Sequence, residues 1–109
     1  MARKRWYAVR CVFQVSGKSG KKKRRAYEER VTLWRARTAE RAIERAEAEA
    51  KAYAKDLDAR YLGVAQSFWL YDEPGDGAEV FSLVRSSGLK ADAYVDRFFD
   101  TGQEQQRTL

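Results

Sequence analysis

Apolar residues recur at steps of three and four between positions 38 and 57. Ala39, Ala42, Ile43, Ala46, Ala50, Tyr53, Ala54 and Leu57 form one stripe on a helix of 3.6 residues per turn. Glu40, Arg41, Glu44, Arg45, Glu47, Glu49, Lys51 and Lys55 take the other side. The pattern predicts one long amphipathic helix, with Thr38 capping its first turn and Glu40 at the positive end of its dipole. Arg45 with Glu49 and Glu47 with Lys51 stand four apart, the spacing of surface ion pairs. Because the stripe is mostly alanine it buries little area per residue, yet its backbone can approach a flat partner closely. The natural partner is the face of a β-sheet.

Either side of this helix the period changes to two. Trp6 to Val15 alternates, with Tyr7, Val9, Cys11, Phe13 and Val15 on one face and Trp6, Ala8, Arg10, Val12 and Gln14 on the other. Tyr27 to Ala36 reads as a second strand, with Tyr27, Glu29, Val31 and Leu33 assigned to the core side opposite Glu28, Arg30, Thr32 and Trp34. The two are predicted to form a hairpin whose tip is SGKSGKKKRR, residues 16 to 25. Tyr61 to Tyr71 is apolar on both sides, as in a strand that is interior to its sheet or covered on each face. DEPGDG at 72 to 77 is a dense turn signal, Glu79 to Ser86 reads as a fourth strand, and Ser87 is placed to cap a short helix carrying Tyr94, Val95, Phe98 and Phe99. The predicted fold is α+β, in the order ββαββα: a four-stranded, mainly antiparallel sheet with one long helix packed on one face and a short C-terminal helix. A single domain over 6–100 is expected, with 1–5 and 101–109 as flexible termini.

Several of these stretches carry a resemblance. WYAVR at 6 to 10, YEERV at 27 to 31, the AIERAEAEA core of the helix, YLG at 61 to 63, EVFS at 79 to 82 and the closing stretch from Tyr94 to Glu104 resemble a bacterial family known as domain of unknown function 4288. The resemblance covers nearly all of 6 to 104. It implies a bacterial cytoplasmic setting and a compact domain, and no activity, since none of these motifs is a catalytic fingerprint. The Lys-rich loop does not resemble a feature of that family.

Composition narrows the chemistry. At 109 residues the chain fits one core, and 44% hydrophobic content is too high for wholesale disorder. No apolar run approaches the roughly 18 residues of a membrane span, and no small-residue cleavage site follows the basic opening MARKR, so a cytoplasmic protein is expected. The chain has no histidine, which removes Ser-His and Cys-His nucleophiles and the usual zinc ligand sets. Cys11 is the single cysteine, so no internal disulfide can form, and on its strand it reads as a small hydrophobe. The net charge of +6 is concentrated: Arg3, Lys4, Arg5, Lys18, Lys21, Lys22, Lys23, Arg24 and Arg25 supply nine of the 22 basic residues. The remaining 13 face 16 acidic residues, so the body is mildly acidic and the basicity is appended to it.

Short motifs weaken on inspection. Gly17-Lys18-Ser19 imitates the end of a phosphate-binding loop, but the glycine that pattern requires five residues earlier is Val12, inside a strand. Asp100-Thr101-Gly102 has the wording of an aspartic protease without the following strands that would bury it, and fits a helix terminus ending at Gly102. Asp72, Glu73 and Asp76 lack the ligand alternation of a calcium loop. No catalytic residue, metal site, cofactor or small-molecule substrate is therefore assigned, and a non-enzymatic protein is expected.

Three features remain as candidates. Lys18, Lys21, Lys22, Lys23, Arg24 and Arg25 place six positive charges in ten residues, enough for salt-sensitive, sequence-independent binding to nucleic acid. They come without interleaved aromatics or a reading helix, and a solvated loop is the favoured explanation of them. Trp6 and Trp34, joined by Trp69, are expected on the sheet face away from the long helix, where an apolar patch either marks a homo-oligomer interface or is covered by the C-terminal helix. Glu29 and Arg30 mark the place for a polar pocket, with Arg10 or Arg35 as partner to Glu29. The leading expectation is a self-associating protein-binding or regulatory module, and the alternative is nonspecific nucleic-acid binding through the 18–25 loop.

Overall fold

The computed structural model describes residues 3–15 and 25–106. It contains strands β1 (Arg5–Val15), β2 (Ala26–Ala36) and β3 (Arg60–Trp69), with helix α1 (Ala39–Asp56) between β2 and β3. A short C-terminal helix, α2 (Ala91–Tyr94), runs on into a π-helical turn, Val95–Phe99. The sheet is antiparallel in the order β2-β1-β3, so β1 is its centre and the other two strands are its edges.

α1 forms where the period of 3.6 predicts it. Thr38 is extended, and its Oγ1 accepts the amide of Arg41 at 3.1 Å, satisfying one of the open donors of the first turn. Ala42, Ala46, Ala50 and Ala54, one residue in every turn, are buried in a single cluster with Tyr7, Val9, Cys11 and Phe13 of β1. The contact is narrower than the predicted stripe. Ile43 and Tyr53 are only half-buried, and Leu57, past the last helical residue, is 54% exposed.

β2 is in the opposite phase to that predicted. Its register puts Trp34, Thr32, Arg30 and Glu28 directly across from Tyr7, Val9, Cys11 and Phe13, on the α1 side. Tyr27, Glu29, Val31 and Leu33 therefore face away from the helix. The physical reason lies on α1, whose alanines are spent on β1 and whose flank towards β2 carries polar groups. Arg30 forms a two-pronged pair with Glu49 at 2.7 and 2.9 Å, and the Tyr53 hydroxyl donates to Glu28 at 2.9 Å. Glu49 and Glu47 are thus taken by strand residues Arg30 and Tyr61, and Arg45 bonds the Arg35 carbonyl at 2.7 Å, in place of the i,i+4 pairs predicted along the helix.

The fourth strand is absent. After β3 the chain turns through 72 to 77, with Gly77 at φ +80°, a conformation open to glycine, and runs without secondary structure to α2. From Glu79 to Gly88 no backbone group is hydrogen bonded to another described backbone group. β3 is thus an edge strand, and its two apolar faces arise because it is approached from both sides, by α1 on one and by Phe81 on the other. Opposite Val12, β3 bulges through Leu62 to Val64, with Gly63 at φ +75°. Ser87 caps only the turn before α2, accepting the Leu89 amide at 3.0 Å; the helix itself starts later, at Ala91.

The C-terminal helical stretch, 91–99, does not return to the body. Neither α2 nor the π-helical turn contacts any strand or α1. The Cα radius of gyration is 16.3 Å, against roughly 13 Å for a compact chain of this length. No helix among the described residues is long and apolar enough to cross a membrane.

Candidate interaction face

The two sides of β1 differ in what covers them. On the α1 side, polar side chains seal the margins of the alanine contact. The Arg30 guanidinium lies 3.7 Å from the centre of the Tyr53 ring, and Tyr53 meets Phe13 edge-on at 5.3 Å between centroids. Glu49 holds the Arg30 guanidinium above its usual value through their hydrogen bonds. Burial, and then the hydrogen bond to Glu47, pushes the Tyr61 phenol up, while burial pushes the Cys11 thiol up. Both shifts disfavour the charged form.

On the opposite side the register aligns Ala8 with Leu33 and Phe68, and Arg10 with Val31 and Gln66. From the C-terminal segment Phe81 reaches this face. Phe81 meets Phe68 edge-on at 5.7 Å, and the Arg10 guanidinium lies 4.9 Å from the Phe81 ring centre. Arg10 also pairs with Glu29 at 3.6 Å and donates to Gln66, so this cation bridges all three strands. Around the Phe81 contact the face stays open, with Tyr27, Val31, Leu33 and Val64 exposed.

The rest of the segment, hereafter the arm, displays apolar side chains of its own. Val84 is 97% exposed and Phe99 78% exposed, and Val80, Leu83, Leu89, Val95 and Phe98 are exposed as well. It is braced internally by a small cluster in which the Tyr94 and Phe98 rings meet tilted at 5.0 Å and Arg85 donates to the Tyr94 hydroxyl at 3.1 Å. Arg85 also lies 4.6 Å from the Phe98 ring centre. Monomeric proteins seldom leave so much contiguous apolar side chain in water.

The residues singled out in the sequence are dispersed. Trp6 and Trp69 line one cleft of about 280 Å³ with Arg5 and Tyr71, where Arg5 sits 5.4 Å from the Trp69 ring centre. Trp34 is not with them: it stands across from Tyr7 on the α1 side, under the Arg45 guanidinium, with its indole N–H given to Thr32 at 2.7 Å. The predicted grouping of Trp6 and Trp34 on the face away from α1 fails because the phase of β2 is reversed, and Trp69, also opposite Tyr7, falls on the α1 side with Trp34. Glu29 and Arg30 likewise part, to opposite faces of β2, so they do not form one pocket. Lys18, Lys21, Lys22, Lys23 and Arg24, with the Gly17-Lys18-Ser19 motif, lie outside the described residues, and Arg25 is exposed just before β2. Phe81 over Phe68 and Arg10 was not foreseen; its only signal was the EVFS stretch, which alternates like a strand. Among the described residues no group of three or more His, Cys, Asp or Glu side chains is placed to hold a metal.

A family described as Domain of unknown function (DUF4288) matches residues 6–82, which takes in the sheet, α1 and the Phe81 contact. The chain belongs to the DUF4288 family. The match ends at 82, so the stretch from Tyr94 to Glu104 that resembled the family in sequence falls outside it. In this member the DUF4288 core ends where the exposed arm departs from the sheet. No curated protein and no solved structure matches the chain.

Proposed function

We propose that this DUF4288 domain is a non-enzymatic binding or regulatory module that works as a homo-oligomer, the arm of one copy closing the open sheet face of another. The observation that carries this reading is the pairing of two unsatisfied surfaces in one chain. A sheet face leaves Val31, Leu33 and Val64 exposed beside its Phe81 contact, and the arm carries Val84, Leu89, Val95 and Phe99 into solvent. Exchange between two copies satisfies both at once and needs no other partner.

Light scattering across a concentration series tests it. The expected result is a dimer mass that collapses to the monomer in the Val84→Asp, Phe99→Asp double variant, whose sites are exposed and whose fold is unaffected. A monomer mass at every concentration contradicts the reading. The second reading, nonspecific nucleic-acid binding through Lys18 to Arg25, is supported by the density of charge in that stretch. Its test is a gel shift in a salt series with those six basic residues replaced by Ser; no retardation at low salt removes it.

A further inference from the structure

At the end of the sheet where α1 begins, an open cleft of about 550 Å³ is lined by Lys4, Arg35, Ala36, Arg37, Arg41 and Arg45. Five of these six are cations, and among the described residues no carboxylate lines the cleft. Four elements of sequence meet there: the start of β1, the end of β2, the link to α1 and the first turns of α1. Arg45 is fixed in place by its bond to the Arg35 carbonyl at 2.7 Å and by the Trp34 ring at 5.1 Å. Arg41 has Glu44 at 3.7 Å, an exposed i,i+3 contact of the kind that contributes little, and Glu40 does not line the cleft. Holding five like charges together is unfavourable unless a counter-charge answers them.

We propose that this cleft binds a compact oligophosphate carrying three or more negative charges. Planar guanidinium groups match phosphate oxygens in two-pronged hydrogen bonds, and four of the five cations are arginines. The volume falls within the roughly 300–1,000 Å³ of small-molecule sites, and the positive end of the α1 dipole adds to the field of the side chains. The site adjoins the open sheet face at Arg35, which shares a side of β2 with Leu33, but its other lining residues lie outside β2's open face and the proposal does not rest on self-association.

Titration calorimetry of the full chain with tripolyphosphate at low salt tests the assignment. The expected result is saturable binding that Arg37→Gln with Arg41→Gln weakens by about tenfold or more, both being exposed residues outside the core. Lys51→Gln with Lys55→Gln removes the same charge from the other end of α1 and is expected to leave affinity within about twofold. No binding by the unmodified chain, or equal weakening by the two pairs, overturns the proposal. Citrate binding as tightly as tripolyphosphate overturns the phosphate assignment. A short DNA duplex that binds through Arg37 and Arg41 when tripolyphosphate does not bind overturns it in favour of a nucleic-acid backbone.

Discussion

The two faces of β1 meet very different environments. On one side Val9 and Phe13 are fully excluded from water by the alanines of α1, and the margins are closed by Arg30–Glu49, Tyr53–Glu28 and Tyr61–Glu47. On the other, one phenylalanine from the arm covers part of the sheet while Val31 and Leu33 stay in contact with solvent. The first side holds the fold together. Under the proposed self-association the second receives another copy, and substitutions on the two sides should separate stability from association.

The largest contrast is expected between two phenylalanines. Phe13→Ala empties a fully buried site and should cost about 3–5 kcal/mol in urea unfolding, whereas Phe99→Ala should stay within about 0.5 kcal/mol for the monomer. Equal effects would mean that the arm belongs to the core. Next come two alanines one turn-half apart on α1. Ala46→Leu forces methyl groups between helix and sheet and should cost about 1–3 kcal/mol, while Ala48→Leu, on the exposed side, should change stability by under about 0.5 kcal/mol.

Tyr61 gives a pH signature to the closed side. Its folded-state pKa is raised, so its contribution is complete below the ordinary tyrosine value of about 10 and is lost as pH rises beyond it. The partial exposure of the ring limits the effect to about 1 kcal/mol over the first pH unit. Tyr61→Phe should flatten that part of the alkaline limb; an unchanged slope would show that burial and the Glu47 bond do not hold the Tyr61 phenol protonated. The smallest contrast lies between neighbours on β2. Arg30→Ala breaks the two-pronged pair with Glu49 and should cost about 1 kcal/mol, and Glu29→Ala, at 3.6 Å from Arg10 on the open side, under about 0.5 kcal/mol.

These contrasts also mark how far the residues alone could be read. β1 and α1 were legible because each has a clear period and each packs on the face that its period defines. The phase of β2 was not, since both of its faces mix apolar and charged side chains and the ten-residue connection from β1 leaves the register free. Glu28 and Arg30 gain partners only once α1 brings Tyr53 and Glu49 to them. The stretch from Glu79 to Ser86 has the alternation of a strand, but alternation describes side chains and does not say that a ladder partner exists. The basic cleft draws on positions 4, 35, 37, 41 and 45, of which only the Arg41 and Arg45 spacing shows on a helix diagram. The Lys-rich stretch dominated the charge count and drew attention away from it.

Hydrogen exchange along residues 79 to 99, followed as a function of protein concentration, tests the central claim most directly. In the isolated chain the amides from Glu79 to Gly88 have no backbone partner among the described residues and should exchange almost freely. If a second copy closes the open face, protection of these amides, and of the edge strand carrying Val31 and Leu33, will rise together as concentration increases. Exchange that is equally fast at every concentration, or protection already complete in the dilute monomer, would contradict the account.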